Sequence, residues 1–232
     1  MLRKIINRLL FPNTCDNDHF VAYLRRAGAH IGSNTRFIDP KRCSVDPGRL
    51  DYIHIGDNCC LSVAALIAHD YSWYIFQEAY DVILPDPGGD IYIGNNCFIG
   101  YQSCILKGTT IGDNVIIGAR SVVKGNIPSN TVWAGTPAKQ ICTLEELLKK
   151  RSNSKISDAE FRRDHIRTTF NREPSIEEMG FFSFLFLDRT TENYCQYIEK
   201  LEFNGVQSSP RIKELFFSTK PEFSSFEDFL RQ

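Results

Sequence analysis

Between residues 93 and 123 an aliphatic side chain returns at every sixth position: Ile93, Ile99, Ile105, Ile111, Ile117 and Val123. Glycine follows at Gly94, Gly100, Gly112 and Gly118, and small or β-branched residues recur at Ser103, Thr109, Val115 and Ser121. This period matches neither the 3.6-residue turn of a helix nor the alternation of a long strand. It matches short flat strands separated by tight turns, each hexapeptide forming one side of a triangular coil. The aliphatic residue then points inward and the small residues occupy the crowded corners. Coils stack at the inter-strand spacing of about 4.8 Å, so each pairs only with its neighbours. The same period appears earlier at Ile55-Gly56, Leu61-Ser62 and Ile67-Ala68, with a weaker start at Ile31-Gly32. A parallel β-solenoid over residues 28–142 is the expectation, with Leu61 and Ile67 as successive inward positions.

The repeat is interrupted once and then ends. Residues 70–90 lose the register in a stretch that holds Tyr71, Trp73, Tyr74, Phe76 and Tyr80 and closes on Pro85-Asp86-Pro87-Gly88-Gly89, a turn-forming run. A loop this long inside a compact domain is usually functional or disordered, and its aromatic content argues against disorder. After Ile127-Pro128-Ser129-Asn130 the composition changes, and residues 143–232 read as a helical extension. Thr143, Ser157 and Ser224 each precede a glutamate by three residues, as in a capping box. Tyr194, Tyr197, Ile198 and Leu201 share one helical face, and twelve of the seventeen phenylalanines lie beyond residue 143, enough for a small separate core.

Residues 1–27 read as an N-terminal helical cap. Asp18 to Ala27 would close the open end of the solenoid. Ahead of it, Leu2, Ile5, Ile6, Leu9 and Leu10 form a stripe opposite Arg3, Lys4 and Arg8. Such a helix either docks on the rest of the protein, the preferred reading, or rests on a membrane surface.

At 232 residues, with 42% hydrophobic and 24% charged residues, the chain is long enough to bury a core. A formal net charge of −1 offers no basic field for nucleic acid. The eight cysteines form no CxxC pair and the chain shows no signal-peptide pattern, which points to reduced thiols in a cytoplasmic protein. No apolar run approaches the ~18 residues of a membrane span.

His69 stands apart among the five histidines. His19 and His165 fall in helical segments, and His30 and His54 precede Ile-Gly starts, where a structural role is the simpler reading. His69 lies where the regular coil breaks, the aromatic loop departs and Asp70 follows. A zinc site needs three nitrogen ligands from neighbouring coils, and the repeats offer only His54 and His69, so no metal is expected. A nucleophilic serine has no Gly-x-Ser-x-Gly turn to sit on. General-base work remains: an imidazole, with an ordinary pKa near 6.5, accepts a proton from a hydroxyl or amine that attacks an activated donor. Asp70 can orient the ring or bind the acceptor only if the chain turns there, because neighbours on a strand face opposite ways. A structural role at the loop start is the equal alternative. Tyr71 and Trp73, with Tyr74, either wall a sugar ring or pack the loop.

The repeats, the His69-Asp70 pair, the segment IGDNVIIGARSVVKGNIPSN and the closing WAGTPAK resemble the left-handed β-helix acetyltransferases of the hexapeptide-repeat superfamily, in particular bacterial cell-surface polysaccharide and antibiotic O-acetyltransferases. The resemblance covers residues 31–141. It implies a homotrimer with acetyl-CoA between adjacent solenoids and a histidine that deprotonates the acceptor for direct attack on the thioester. Carried over, His69 is the base. Gly100 and Tyr101 match the segment near the thioester, with the Tyr101 amide as candidate oxyanion donor. Gly118 and Ala119 match positions along the pantetheine arm, where small residues let it approach the backbone. Gly135, Pro137 and Lys139 match the element that holds the nucleotide end, with Lys139 as the cation for phosphates. Lys124 departs from the family pattern, which has its lysine one residue later, so it reaches the same phosphates from there or the contact is lost.

The implied function is acetyl transfer to a sugar hydroxyl of a capsule, O-antigen or exopolysaccharide precursor. The alternatives are another acceptor (an antibiotic, serine or a nucleotide-linked amino sugar) and a catalytically silent solenoid that serves as an assembly or binding module. The helical extension resembles those of some polysaccharide acetyltransferases, and covering the acceptor site, joining trimers and docking on a membrane-associated glycan assembly are its alternative roles.

Overall fold

The structure, a computed structural model, describes residues 2–203 and 210–232, with side chains from 6 to 201 and from 210 onward. It divides into two compact units, Met1–Leu148 and Lys149–Gln232. Among the described residues no helix is long and apolar enough to cross a membrane.

The first unit opens with two helices, α1 (Leu2–Leu10) and α2 (Asn17–Arg26). Asp16 caps α2 by accepting from the His19 amide. Phe20, Val21 and Leu24 of α2 are buried in the solenoid core, Phe20 edge-on to Phe37 of the first coil. On α1 the side chains of Leu2 and Ile5 lie outside the described ones. Ile6, Leu9 and Leu10 are 46%, 76% and 67% exposed, so the expected docking of this stripe on the chain does not occur there.

Three parallel sheets then wrap one core. The first runs His30–Ile31, Ile53–Ile55, Ile91–Ile93, Thr109–Ile111 and Asn126–Ile127. The second runs Arg36–Ile38, Cys60–Ser62, Phe98–Ile99, Ile116–Ile117 and Thr131–Gly135, and closes on the antiparallel strand Ala138–Thr143. The third runs Ser44–Val45, Ala65–Ile67, Cys104–Leu106 and Val122–Val123. Consecutive coils stack in register, Ile55 on Ile93 on Ile111. All six aliphatic positions from Ile93 to Val123 are buried, and each such side chain contributes about 1.5–3 kcal/mol by leaving water. Ser103, Thr109, Val115 and Ser121 are buried too, and the hydroxyls of Ser103 and Ser121 both donate to Gly118 O, at 2.8 and 2.7 Å. A small residue at the corner therefore also satisfies the turn's own backbone.

The three corners differ. Where the first sheet passes to the second, Asn34, Asn58, Asn96, Asn114 and Asn130 all take left-handed backbone, with φ from 56° to 61°, a conformation asparagine tolerates. Between the second and third sheets the left-handed positions are Asp39, Val63, Gln102 and Arg120. Here one coil is short: five positions lead from Leu61 to the next inward residue, against six from Ile99 to Ile105. The inward side chain is therefore Leu66, 1% exposed, and not Ile67, which is half-buried on the outer side. The missing residue tightens the turn and forces Val63 to φ 50°, an outlier for a β-branched side chain. Between the third and first sheets the first two coils carry unlike insertions, and only the last two share a turn, Lys-Gly with the glycine left-handed. This corner carries residues 46–52 in the first coil, 68–90 in the second, Lys107-Gly108 in the third and Lys124-Gly125 in the fourth. The long excursion contains a 3-10 turn, Tyr71–Trp73, and α3 (Tyr74–Tyr80).

Helix α4 (Leu144–Phe170) begins on a reciprocal capping box: Thr143 N donates to Glu146 at 2.7 Å and Glu146 N to Thr143 Oγ1 at 3.1 Å. Ser157 starts no helix. It lies inside α4 with its hydroxyl on Ser154 O, since nothing breaks the helix there. The second unit adds α5 (Thr191–Phe203), α6 (Pro210–Ser218) and α7 (Phe226–Leu230). The expected cap at Ser224 moves one residue on: Ser225 accepts from Asp228 N at 3.1 Å, while Asp228 accepts from Ser224. The core of this unit is Ala159, Met179, Leu185, Phe186, Phe223 and Phe229. The buried Arg163 lies over the Phe229 ring and donates to Phe229 O at 3.1 Å.

Candidate active site

At the corner between the third and first sheets, Asp46-Pro47-Gly48-Arg49 forms a β-turn. Arg49 N donates to Asp46 O and Gly48 N to Asp46 Oδ1, each at 3.2 Å, and proline presets the turn at its second position. The strand before the turn pairs Val45 with Leu66, and Asp46 N donates to Leu66 O. The turn thus lies beside the end of the next coil's strand, where His69 leaves. His69 Nδ1 sits 2.5 Å from Asp46 Oδ2; the aspartate side chain is 2% exposed and the histidine 24%. A carboxylate only accepts, so Nδ1 carries the hydrogen and Nε2 is left as the acceptor. The Tyr71 ring stacks on the imidazole with centroids 3.9 Å apart.

Asp70 faces away from this pair. It caps the 3-10 turn by accepting from Ser72 N and Ser72 Oγ, and it pairs with Lys107 Nζ at 3.0 Å. These hydrogen bonds, Ser72 first and Lys107 next, hold its carboxyl down at about 2. Of its two readings from sequence, the structure supplies contacts for loop initiation and none to the imidazole. The loop returns through Asp86, which accepts from Arg49 and from Asp70 N, and Gly89 N donates to Ala68 O at 3.1 Å. Tyr71 and Tyr74 are exposed, and the indole nitrogen of Trp73 is buried with no hydrogen-bond partner among the described residues.

The other candidate residues gather elsewhere. Gly100 and Tyr101, with Gly118 and Ala119, stack at the corner between the second and third sheets. Gly135 N donates to Ser121 Oγ and Thr136 Oγ1 to Arg120 O, pinning the hairpin turn that carries Pro137 to the same edge. Lys139 is exposed on the last strand, opposite Ala134. Within one chain the third sheet separates these residues from His69. Lys124 is exposed on the His69 corner two coils on, so it does not share an edge with Lys139. The need for glycine here has a cause within the stack. A Cβ on Gly100 would come within 2.6 Å of Ala119 N, and one on Gly118 within 2.8 Å of Ala134 Cβ. Coil stacking by itself demands these glycines. The Tyr101 hydroxyl accepts from Arg42 of the first coil.

Sequence reasoning missed Asp46, Arg49, Asp86 and Lys107. The available signal was Asp46-Pro47-Gly48, a turn closing a strand one coil before His69. Among the described residues, one group of metal-capable side chains lies close together, Cys15, Asp16 and His19, with ligand atoms within 4.8 Å of one another. There Asp16 already binds His19 through both the amide and Nδ1 as a helix cap. His54 stacks between His30 and Tyr92 on the first sheet, away from His69. A shallow cavity of about 260 Å³, lined by Asn58, Asn96, Asn114, Phe98, Ile116 and Leu144 among others, opens on the second sheet and includes none of the candidate residues.

Residues 90–125 match the family model of the bacterial transferase hexapeptide, six repeats. Protein CapG of Staphylococcus aureus is 36% identical over 146 residues, spanning 62% of this chain and 80% of that one. WbbJ of Escherichia coli (strain K12), provisionally named a lipopolysaccharide biosynthesis O-acetyl transferase, is 29% identical over 61% of this chain and 85% of its own length. Among solved structures, the hexapeptide-repeat acetyltransferase VCA0836 from Vibrio cholerae superposes with a TM-score of 0.44 at 21% identity, over 61% of this chain and 89% of that one. The chain belongs to the bacterial hexapeptide-repeat transferases. Within that family it is an acetyltransferase, an enzyme of the acyltransferase class.

Proposed function

We propose that the chain is an acetyl-CoA-dependent O-acetyltransferase of a cell-surface polysaccharide precursor, with His69 as general base. The observation that carries this reading is the 2.5 Å contact of His69 Nδ1 with the buried Asp46 carboxylate, which leaves Nε2 free to accept. The acceptor hydroxyl would bond to Nε2, pass its proton there as its oxygen attacks the thioester carbonyl, and so form a tetrahedral oxyanion. Asp46 stabilises the imidazolium meanwhile. Collapse breaks the C–S bond, and the departing thiolate takes the proton back.

The donor groove follows from the same layout. His69 and the Gly100-Tyr101-Gly118-Ala119 edge occupy different corners of one triangle. They meet only if copies pack corner to corner, which supports a homotrimer with acetyl-CoA between copies of a left-handed solenoid. Tyr101 N would then face the oxyanion, and Lys139, with Gly135 and Pro137, the nucleotide end. We read residues 28–142 as the catalytic domain, with 1–27 and 143–232 as its flanks, in a cytoplasmic protein. The exposed Ile6, Leu9 and Leu10 beside Arg8 on α1 suit a membrane surface.

A sugar acceptor is supported by the name of WbbJ and by the exposed Tyr71 ring stacked on the base. The test is a mass-spectrometric screen for a gain of one acetyl group on surface-glycan precursors, run beside antibiotic, serine and amino-sugar acceptors. Full turnover by His69→Ala with the responsive acceptor would sink the base assignment, and acetylation confined to a non-sugar acceptor would replace the substrate class.

A further inference from the structure

Around His69 the contacts close on themselves. His69 Nδ1 meets Asp46, and three residues along the Asp46 turn stands Arg49. The Arg49 guanidinium binds Asp86, whose other oxygen accepts from Asp70 N at 3.2 Å, and Asp70 follows His69 in the chain. Arg49 and Asp86 are only 22% and 18% exposed, so this pair is poorly screened by water. The fit around Arg49 is close: a Cβ on Gly88 would lie 2.5 Å from both Arg49 Nη1 and Tyr52 Cε2. The segment returning from the loop therefore passes close to the guanidinium. Lys107 closes the other side, on Asp70 at 3.0 Å and on Pro87 O at 2.7 Å.

We propose that Arg49 is a positioning residue of this active site, tying the turn that carries Asp46 to the loop that carries His69 and balancing the charge the base senses. The inference rests on the reading of His69 as the base. The groups facing the imidazole and its neighbours are Asp46, Asp70, Asp86, Arg49, Lys107 and the neutral rings of Tyr71, on the imidazole, and Tyr52, under Arg49. Three carboxylates stand against two cations. One negative charge is left over, and it matches the single positive charge that appears on His69 when it takes the acceptor's proton. Burial opposes ionisation of Asp86, but the Arg49 hydrogen bond, the Asp70 amide and the charges of Arg49 and His69 outweigh it and hold this carboxyl below its ordinary range. Without Arg49, two negative charges would surround the base. It would then hold its proton to higher pH and be withdrawn from catalysis near neutrality.

The test follows the His69 ring by NMR in protein carrying 13C-labelled histidine, with its signal assigned by its loss in His69→Gln. The pH midpoint is compared in wild type, Arg49→Gln, Asp86→Asn and the double variant. Arg49→Gln is expected to raise the midpoint by about half to one pH unit, Asp86→Asn to lower it by a similar amount, and the pair together to return near the wild-type value. The acid limb of kcat/KM should move in the same directions. An unmoved midpoint in Arg49→Gln, or shifts of the same sign in both single variants, overturns the proposal. Should Arg49→Gln fail to fold, Asp86→Asn alone decides, since only a lowered midpoint agrees with the charge balance. Turnover surviving in His69→Gln sinks the base reading instead, and it leaves the midpoints as a separate measurement.

Discussion

Two corners of the same triangle are built by opposite rules. Where the first sheet passes to the second, the coils repeat one turn around a left-handed asparagine, and its side-chain amide reaches the next coil from Asn34 to Asn58, Asn96 to Asn114 and Asn114 to Asn130. The preceding side chain accepts an amide from the coil before, as Asp57, Asn95, Asp113 and Ser129 do. Its polar groups bond largely to other coils. Where the third sheet passes to the first, the first two coils carry unlike insertions while the last two share a short Lys-Gly turn, and there a histidine, three aspartates and two cations come together. A corner that repeats saturates itself and stabilises the stack. A corner that varies leaves Nε2 and the indole of Trp73 for something else.

The sharpest way to break that contrast is Asp46→Asn, which keeps the shape of the irregular corner and removes its charge. Acetyl transfer is expected to fall by about two orders of magnitude or more, while the melting temperature moves less than for any change at the regular corner. Equal losses in turnover and melting would show that the corner's role is structural. The converse change is Gly94→Ala, whose Cβ would stand 2.5 Å from Asp113 Oδ1 and 2.7 Å from the Gly112 carbonyl carbon. Backbone must shift, at a cost of about 2 kcal/mol, read as a drop of roughly 4–8 °C in a thermal melt.

Asn114→Ala sharpens the account of the regular corner further. It removes a bond from Asn96 at 2.7 Å and one to Asn130 at 2.9 Å, and places alanine at φ 58°. A loss of about 1–2 kcal/mol is expected in denaturant unfolding. Asn114→Gly, which tolerates that φ, should recover part of it, and no recovery would mean that the ladder alone matters. The smallest effect is the pH response of the loop neck. The Asp70 carboxyl is lowered in the fold to about 2, so its contribution is fully present above the ordinary carboxylate value of 3.8 and is lost as pH falls through the folded value. Amide hydrogen exchange at Ser72 should quicken over that interval, and Asp70→Asn should exchange quickly throughout.

The solenoid was legible because its signal is local. Ile93 to Val123 repeat without interruption, and burial of one face at each sixth residue needs no knowledge of distant contacts. The short coil at Leu61 hid the slip from Ile67 to Leu66, because only the stacking of Leu66 on Ile105 reveals which residue points inward. His69 was legible as a break in the period. Asp46 was not, because coil lengths vary: stacked corner residues lie 24 positions apart at Asn34 and Asn58, 38 at Asp57 and Asn95, and 18 at Asn96 and Asn114. No fixed spacing points from His69 back to its carboxylate. Asp70, adjacent in sequence, offered that role and a structural one equally, and its side chain turns to Ser72 and Lys107.

By itself the order of residues determined a parallel solenoid with a loop at residue 70, since side-chain period and turn chemistry act within a few residues. The tertiary structure alone decided which carboxylate holds the histidine, that Arg49 and Asp86 close the ring around it, and that a Cβ on the glycines of the other corner would meet the next coil. Those outcomes depend on coils of unequal length lying in register, and register is a property of the stack that no single hexapeptide contains.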